Sequence, residues 1–391
     1  YNVENLFDTV DDTLKNDNEF LPGGDRRWTS SRYHKKLNAV ARAAAAAGEW
    51  DLPSLIGLCE VENEEVLKDL IYGTILLAGN YGIVHRESPD PRGIDMALLY
   101  RRDHFAVSGV ETWLPESPDG APVLTRNILY VKLTREPDTL HLVLCHLPSR
   151  RGGLLAAGDL RERIIRLASV KVDSVVEASA FTASVIVMGD FNTAPGESLM
   201  TGFAEQTGIV NLSSAEAGQG RGSYRYQGTW EMIDQVLVSE PMTDSTGAFQ
   251  TVPGSFRVVD APFLLTADEA YPGSKPYPTY GGYRYSGGYS DHLPVIVKIK
   301  RRREALHNPG ISGVISPAEV LICGPPSTEI LPLTSASTRS PRLVFTLLVK
   351  AMSSIVLLSP TTNSAPIVAS PTTLPPAYSA FTPAPTQIFV W

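Results

Sequence analysis

Seven short apolar runs limit what this chain can fold into more than any other feature. Each is rich in β-branched residues, and they span residues 54–61, 94–100, 128–134, 140–146, 184–190, 232–238 and 293–299. Several are apolar almost throughout, which is typical of strands that are covered on both faces. Amphipathic helices are predicted after Ser31 and after Asp159. The pattern therefore indicates a layered α/β or α+β domain that fills residues 1–300.

The first predicted helix has a basic cluster next to its apolar stripe. Lys35 and Lys36 are expected to fall outside the stripe, on a solvated face of the helix. The apolar stripe of the helix consists of Tyr33, Leu37, Val40 and Ala41.

Downstream, residues 240–288 are rich in Tyr, Gly and Pro and are predicted to form a long irregular loop of the kind that often carries function.

The composition changes again at the end of the chain. Residues 301–391 are rich in Ser, Thr and Pro and nearly free of charge after a short basic run, so we predict a tail that is disordered or not native to the domain. The apolar run at 343–358 is shorter than the ~20 residues of a membrane-spanning helix, and it contains Lys350. No integral membrane segment is predicted.

Charge and cysteine content narrow the functional classes. The formal net charge of −8 excludes a global positive field that would draw the chain to nucleic acid or to an anionic membrane. Arg150 and Arg151 could still supply a local basic strip. Three cysteines form neither a disulfide framework nor a metal-binding spacing, and two of them, Cys59 and Cys145, are expected to be buried, inert thiols.

Polar side chains recur at the ends of the predicted strands. A carboxylate at the edge of a buried strand costs several kcal/mol unless a cation or a hydrogen bond compensates it, so this many of them predict a site at the strand ends. Carboxylate and amide oxygens suit Mg²⁺, with Mn²⁺ or Ca²⁺ as alternatives, rather than zinc. The set is Asn2, Asn5, Glu60, Glu62, Asp95, His146, Asp190, Asn192, Asp234, Asp291 and His292.

This combination of residue types favours a hydrolysis in which a metal polarises a phosphoryl oxygen and an imidazole moves a proton. The GDFN motif adds to it. Asp190 and Asn192 are two residues apart, so in an extended chain both side chains point the same way. One could accept a hydrogen bond from an attacking water while the other donates to a phosphoryl oxygen.

Seven motifs in this order resemble the endonuclease/exonuclease/phosphatase superfamily, the deoxyribonuclease I-like group. They are YNVENLF, GLCEVEN, RGIDMALLY, CHLPSR, VMGDFN, MIDQVLVS and YSDHLPV. The chain is especially similar to a bacterial subgroup with a YNVENLFD opening and a GGYSDHLPV ending. The resemblance implies a four-layer sandwich of two packed, mostly antiparallel β-sheets flanked by helices, over residues 1–300, with the first strand truncated at Tyr1.

The resemblance also implies roles for the acidic and amide residues. It makes Glu60 the principal metal ligand, with Asn2 beside it and Asp291 assisting. Asp190 would orient the attacking water. Asn192 would hold the phosphoryl oxygens.

The same resemblance implies the roles of the two imidazoles. His292 would be the catalytic imidazole, oriented by Asp234, and His146 would face the scissile phosphate with Asp95 as its carboxylate partner. Arg126 is a weaker candidate for a phosphate contact. Supporting or capping roles are expected for Asn5, Glu62 and Asn63.

The expected function is that of a Mg²⁺-dependent phosphodiesterase, most simply a nuclease acting on nucleic acid. The alternative within the family is a phosphatase, or a phosphodiesterase of phospholipids or inositol phosphates. The alternative from another class is a non-catalytic binding protein on the same scaffold. A monomer is expected, and the sequence leaves localisation open between exported or periplasmic and cytoplasmic.

Overall fold

The fold is taken from a computed structural model that describes residues 1–49, 51–117, 120–121, 123–149, 154–244, 246–302 and 387–390. The chain divides into two units. The first comprises Tyr1–Glu304 and Pro383–Trp391, and it contains every described residue. The second, Ala305–Thr382, lies outside the described residues, as does most of the predicted tail.

The described helices and strands are numbered here in chain order. The helices α1 to α5 are Ser30–Ala47, Glu64–Tyr72, Leu154–Ala178, Ser198–Thr207 and Ser214–Gly218. The strands β1 to β10 are Asn2–Leu6, Leu55–Val61, Tyr81–His85, Asp95–Arg101, Ala106–Trp113, Ile128–Arg135, Asp138–His146, Ser184–Asp190, Ile209–Asn211 and Tyr224–Tyr226. The strands β11 to β20 are Thr229–Glu231, Asp234–Ser239, Phe249–Thr251, Arg257–Val258, Leu265–Ala267, Ser274–Pro276, Tyr280–Gly281, Arg284–Tyr285, Val295–Arg301 and Gln387–Val390.

Two large sheets carry the fold. The first has the order β13-β19-β20-β2-β4-β3, with β1 paired to β2 and β14 paired to β19. The second has the order β5-β6-β7-β8-β12-β9. Most neighbours are antiparallel, and the parallel pairs are β1 with β2, β2 with β20, and β7 with β8.

The side chains of β7 show how the layers form. Leu142 and Leu144 belong to the core between the two sheets, whereas Val143 and Cys145 belong to a second core that the apolar faces of α3 and α4 cover. This alternation is expected for a strand buried on both faces. Gly57 in β2 lets the sheets approach closely, because a Cβ there would meet the side chains facing it, those of Met188 and Leu144.

The predicted fold class is confirmed: the domain is a mixed α/β sandwich of packed, mostly antiparallel sheets with few helices. Each of the seven predicted strands is present. None of the described helices is long and apolar enough to cross a membrane.

Three expectations need correction. The region 240–288 contains short hairpins, β15 with β16 and β17 with β18, rather than irregular chain throughout. Within the predicted tail, Gln387–Val390 pairs between β2 and β19, where no strand is predicted from the sequence. Lys36 is buried, not solvated, because it lies three residues after Tyr33 and four before Val40 and so falls on the buried stripe of α1.

Candidate active site

The centre of the site is built by three adjacent strands of the second sheet. In the strand register His146 at the end of β7 lies opposite Asp190 at the end of β8, and Asp234 at the start of β12 lies opposite Asp190 from the other side. All three side chains are buried. Gly189 is needed just before Asp190, because its φ is positive and its close contact with the Cys145 carbonyl leaves no room for a Cβ.

His292 and Asp234 form a buried hydrogen-bonded pair. The Nδ1 atom of His292 lies 2.7 Å from Oδ2 of Asp234, and the same oxygen accepts the hydroxyl of Ser223 at 2.6 Å. Burial alone would lower the pKa of His292, but the Asp234 carboxylate outweighs it, with help from Asp190, and raises the pKa to about 10. The ring of Tyr224 packs 4.9 Å from the imidazole, centroid to centroid. His292 is therefore an imidazolium at neutral pH.

His146 has the opposite electrostatic environment. Burial lowers its pKa well below the ordinary value, and the positive charges of Arg126 and Arg92 lower it further. Its Nε2 atom lies 3.6 Å from Oδ2 of Asp190 and 3.9 Å from Oε1 of Glu60. Its Nδ1 atom is buried and has no hydrogen-bond partner among the described residues. This imidazole is neutral.

The structure does not bring Asp95 to His146 as predicted. Oδ2 of Asp95 lies 3.2 Å from Nε2 of His85, and Oδ1 accepts the backbone N–H of Ser88 at 2.9 Å. His85 ends β3 and Asp95 begins β4, its antiparallel neighbour, so the two side chains lie at the same end of the hairpin and bind each other. Asp95 thereby anchors the loop after β3 that carries Arg92 to the site.

The acidic side of the site lies on β1 and β2. The Nδ2 atom of Asn2 donates to Oδ2 of Asp190 at 3.1 Å, and Oε2 of Glu60 accepts the backbone N–H of Asn5 at 2.9 Å. Burial raises the pKa of Asp190 to about 7, with Asp234 adding to the effect and His292 opposing it. The predicted residues Asn2, Glu60 and Asp190 line the same cleft, and the last two flank Nε2 of His146.

Backbone conformation at this point is unusual. Glu4, Asn5 and Glu60 all have positive φ values, in the left-handed region that non-glycine residues rarely adopt. Both β1 and β2 show register shifts here, as expected where a bulge redirects side chains. Local strain of this kind is typical of functional sites, where the surrounding fold holds it in place.

Asn192 also departs from the extended geometry predicted for it. Its φ is positive, and its backbone N–H donates to Oδ1 of Asp190 at 2.9 Å, so the chain turns directly after β8. Its side chain donates to the Leu147 carbonyl at 3.0 Å. Arg126 donates to the same carbonyl, also at 3.0 Å, and to Asp90. Both predicted residues nevertheless line the same cleft.

One cleft of about 1200 Å³ contains almost all of the predicted site residues. Asp291 lines it with a half-exposed side chain whose Oδ1 lies 4.0 Å from Nε2 of His292. Asp95 and Asp234 lie behind its surface, and Arg150 and Arg151 lie outside the described residues. The lining residues that sequence reasoning missed include Glu4 and Arg92, which stand in the motifs of the family resemblance, and Tyr224.

Two supporting residues behave as expected. Asn63 caps α2, because its side chain accepts the backbone N–H of Val66 at 2.9 Å. Glu62 accepts the backbone N–H of Asp8 at 2.7 Å and so ties the end of β2 to the chain that follows β1. Burial raises the pKa of Glu62 to about 8.

The donor set fits a hard divalent cation. Asn2, Glu60 and Asp291 place an amide and two carboxylates on one side of the cleft. Ligand atoms of Asp190, Asp234 and His292 also lie within 4.8 Å of one another, although the last two bind each other. An Asp234 oxygen, Oδ1, is buried and has no partner in the described part of the chain. Such an excess of carboxylate oxygen is typical of a Mg²⁺-type site.

A family model described as "Endonuclease/Exonuclease/phosphatase family" matches residues 1–301. The chain belongs to this family. The resemblance read from the motifs is therefore confirmed, and with it membership of a superfamily of phosphoesterases. No functionally curated protein is significantly similar in sequence.

Several solved structures are similar to this chain at low sequence identity. The catalytic domain of human Nocturnin with bound sulfate is 15% identical over 70% of this chain and 88% of that one, with a TM-score of 0.45. A mannosyl-6-phosphatase from Bacteroides thetaiotaomicron is 15% identical over 67% and 90%, with a TM-score of 0.45. Truncated TDP2 from Caenorhabditis elegans is 16% identical over 68% and 90%, with a TM-score of 0.44.

Proposed function

We propose that this protein is a Mg²⁺-dependent phosphodiesterase in which water attacks phosphorus. The observation that carries the proposal is the buried pair of His292 and Asp234. Asp190 lies opposite Asp234 in the strand register and next to Nε2 of His292, so it connects this pair to the acidic side of the cleft. Within the pair, the Asp234 carboxylate keeps His292 protonated at neutral pH, so that the imidazolium can face the cleft, and the acidic side supplies oxygen ligands. Phosphoryl transfer needs little more than positioning and charge stabilisation of this kind.

Asp190 is the proposed general base. Its carboxylate is fixed by Asn2 and by the backbone N–H of Asn192, so its orientation toward the cleft is set. A pKa of about 7 is close to the optimum for taking a proton from water near neutral pH.

The proposed contacts to the phosphoryl oxygens come from the opposite wall. The imidazolium of His292 would stabilise the negative charge that develops on them. His146, neutral and buried, would donate one hydrogen bond, and the Asn192 amide would donate another. Arg126, already bound to Asp90 and Leu147, would act through its charge.

Glu60, Asn2 and Asp291 would hold the metal ion. When bound, Mg²⁺ supplies Lewis-acid polarisation of a phosphoryl oxygen and offsets charge on the leaving oxygen. Mn²⁺ or Ca²⁺ would use the same oxygen ligands.

A nuclease is the simplest form of this activity, but one observation favours a small or lipid phosphoester. Binding of a polynucleotide rests mainly on lysine and arginine contacts to phosphates. Among the described residues that line the cleft, three are arginines and none is a lysine, whereas seven are acidic: Glu4, Glu19, Asp25, Glu60, Asp190, Glu231 and Asp291.

The test is a substrate panel with and without EDTA. It contains plasmid DNA, RNA, sphingomyelin, inositol phosphates and bis-p-nitrophenyl phosphate, and Asp190→Asn serves as the inactive control. Hydrolysis of a diester that EDTA abolishes and Mg²⁺ restores is expected. Turnover of monoesters alone would replace the proposal with a phosphatase. A folded, Mg²⁺-binding protein without any turnover would indicate the non-catalytic binding protein.

A further inference from the structure

Lys36 is a buried cation that the proposed reaction does not use. Its side chain is 2% exposed in the middle of α1, whereas the neighbouring Lys35 is exposed. A buried ammonium is costly unless hydrogen bonds satisfy it. Its Nζ atom donates to Oγ1 of Thr279 and to the backbone carbonyl of Tyr289, each at 2.5 Å.

Both partners of Lys36 belong to the segment that leads to His292. Thr279 also donates its backbone N–H to the carboxylate of Glu4 at 2.5 Å. Tyr289 is followed by Ser290, whose hydroxyl donates to the Asn2 carbonyl at 2.7 Å and accepts the backbone N–H of His292 at 3.1 Å. Lys36 thus sits where α1, β1 and the segment before β19 meet.

The charge of Lys36 also acts on the acidic side of the cleft. Burial lowers its pKa to about 8, and the carboxylates of Glu4, Asp291 and Glu60 oppose that decrease. The ammonium therefore partly neutralises the carboxylates that line the proposed metal site.

We propose that Lys36 is a positioning residue, which ties residues 279–289 to α1 and so holds the proposed metal ligand Asp291 in its place on the wall of the cleft. The proposal rests on the proposed function, because it assumes a divalent cation in the cleft. It assigns to a helix residue outside the cleft the task of orienting ligands inside it. Residues that orient metal ligands in this way commonly change metal affinity when they are replaced.

The test compares Lys36→Met with Lys35→Met, a matched change on the exposed face. In EDTA, hydrogen exchange of residues 277–291 in Lys36→Met is expected to be faster by about tenfold, with α3 unchanged. Without substrate, Mn²⁺ is expected to bind the same variant about tenfold more weakly. Loss of a positive charge alone would instead strengthen Mn²⁺ binding, so unchanged or tighter binding would overturn the proposal, as would unchanged exchange.

Thr279→Val is a second variant that removes the hydrogen bond between Lys36 and Thr279 but keeps the charge of Lys36. It removes the hydroxyl acceptor with little change in side-chain size, and Thr279 is buried. Exchange and Mn²⁺ affinity are expected to change in the same direction as in Lys36→Met but less. The double variant is expected to differ little from Lys36→Met, because the hydrogen bond that Thr279→Val removes is already absent in Lys36→Met. Wild-type behaviour of Thr279→Val would overturn the proposal even if Lys36→Met fails to fold.

The readouts also separate this proposal from the proposed function. A wild-type protein that binds Mn²⁺ but hydrolyses no phosphoester would refute the proposed function alone. Normal exchange and normal Mn²⁺ affinity in a folded Lys36→Met variant that has full wild-type hydrolysis would refute the role of Lys36 alone.

Discussion

Two buried imidazoles face the same cleft in opposite chemical states. His292 shares a 2.7 Å hydrogen bond with Asp234, which raises its pKa to about 10 against the effect of burial. Burial and the nearby arginines lower the pKa of His146, and its Nδ1 atom has no hydrogen-bond partner within the described ranges. Both side chains are nearly inaccessible to solvent, so burial alone does not decide the charge.

The difference lies in the neighbours that the strands supply. Antiparallel β12 begins with Asp234, whose carboxylate binds Nδ1 of His292. In the part of the chain that the structure describes, no carboxylate is within hydrogen-bonding distance of Nδ1 of His146, because Asp95, the residue predicted for that place, is held by His85. One imidazole thus provides a fixed charge and the other a neutral N–H.

The largest expected effect comes from removing each imidazole in turn. We expect His292→Gln to lower kcat by about 10³-fold, because a charge aimed at the phosphoryl oxygens is lost. His146→Gln should lower it by only about 10-fold to 100-fold, since a neutral donor is replaced by another. Steady-state kinetics at saturating Mg²⁺ and substrate measure both. Equal losses in two folded variants would contradict the division of roles.

A smaller effect is expected when the charge is removed but the imidazole is kept. Asp234→Asn removes the main cause of the raised pKa of His292, so burial then lowers that pKa and the imidazolium is lost at neutral pH. The alkaline limb of the kcat profile, near pH 10 in the wild type, should move to lower pH. The exposed Asp244→Asn is the control. An unshifted limb would show that His292 does not owe its charge to Asp234.

The smallest expected effect is on stability in EDTA. The lowered pKa of His146 contributes stability that is present above the ordinary value of 6.5 and is lost as the pH falls below it. The raised pKa of His292 contributes stability that is present below 6.5 and is lost as the pH rises through about 10. His146→Gln should therefore flatten only the acid limb, by at most about 1.4 kcal/mol per pH unit. Urea unfolding at a series of pH values measures it, and an unchanged acid limb would refute a neutral His146.

The main parts of the site could be predicted because they follow from strand period and strand ends. His146 and Asp190 each end an apolar run, Asp234 interrupts the run at 232–238 near its start, and the strand register brings these three residues together. Asp291 and His292 precede another run and reach the same cleft. The position of these five residues beside apolar runs, together with their residue types, was enough to predict that they lie close together.

Other features depend on contacts that sequence patterns do not record. The pairing of Asp95 with His85 is set by the β3–β4 hairpin register. Glu4 reaches the cleft through a left-handed backbone at a bulge, and no composition signal marks that. Lys36 is different, because helical spacing places it on the buried stripe. The prediction of a solvated Lys36 was wrong because it rested on the charge of the residue instead of its position on the helix.

Cys59 and Cys145 stand one residue before Glu60 and His146, each buried in its strand. Burial raises the pKa of both thiols, to about 12 for Cys145, so thiol reagents find neither access nor thiolate in the closed domain. Cys323 lies outside the described residues, and Cys323→Ser leaves only these two thiols in the chain. The alkylation rate of each thiol would then report how often its strand opens to solvent beneath the cleft, Cys59 for the first sheet and Cys145 for the second.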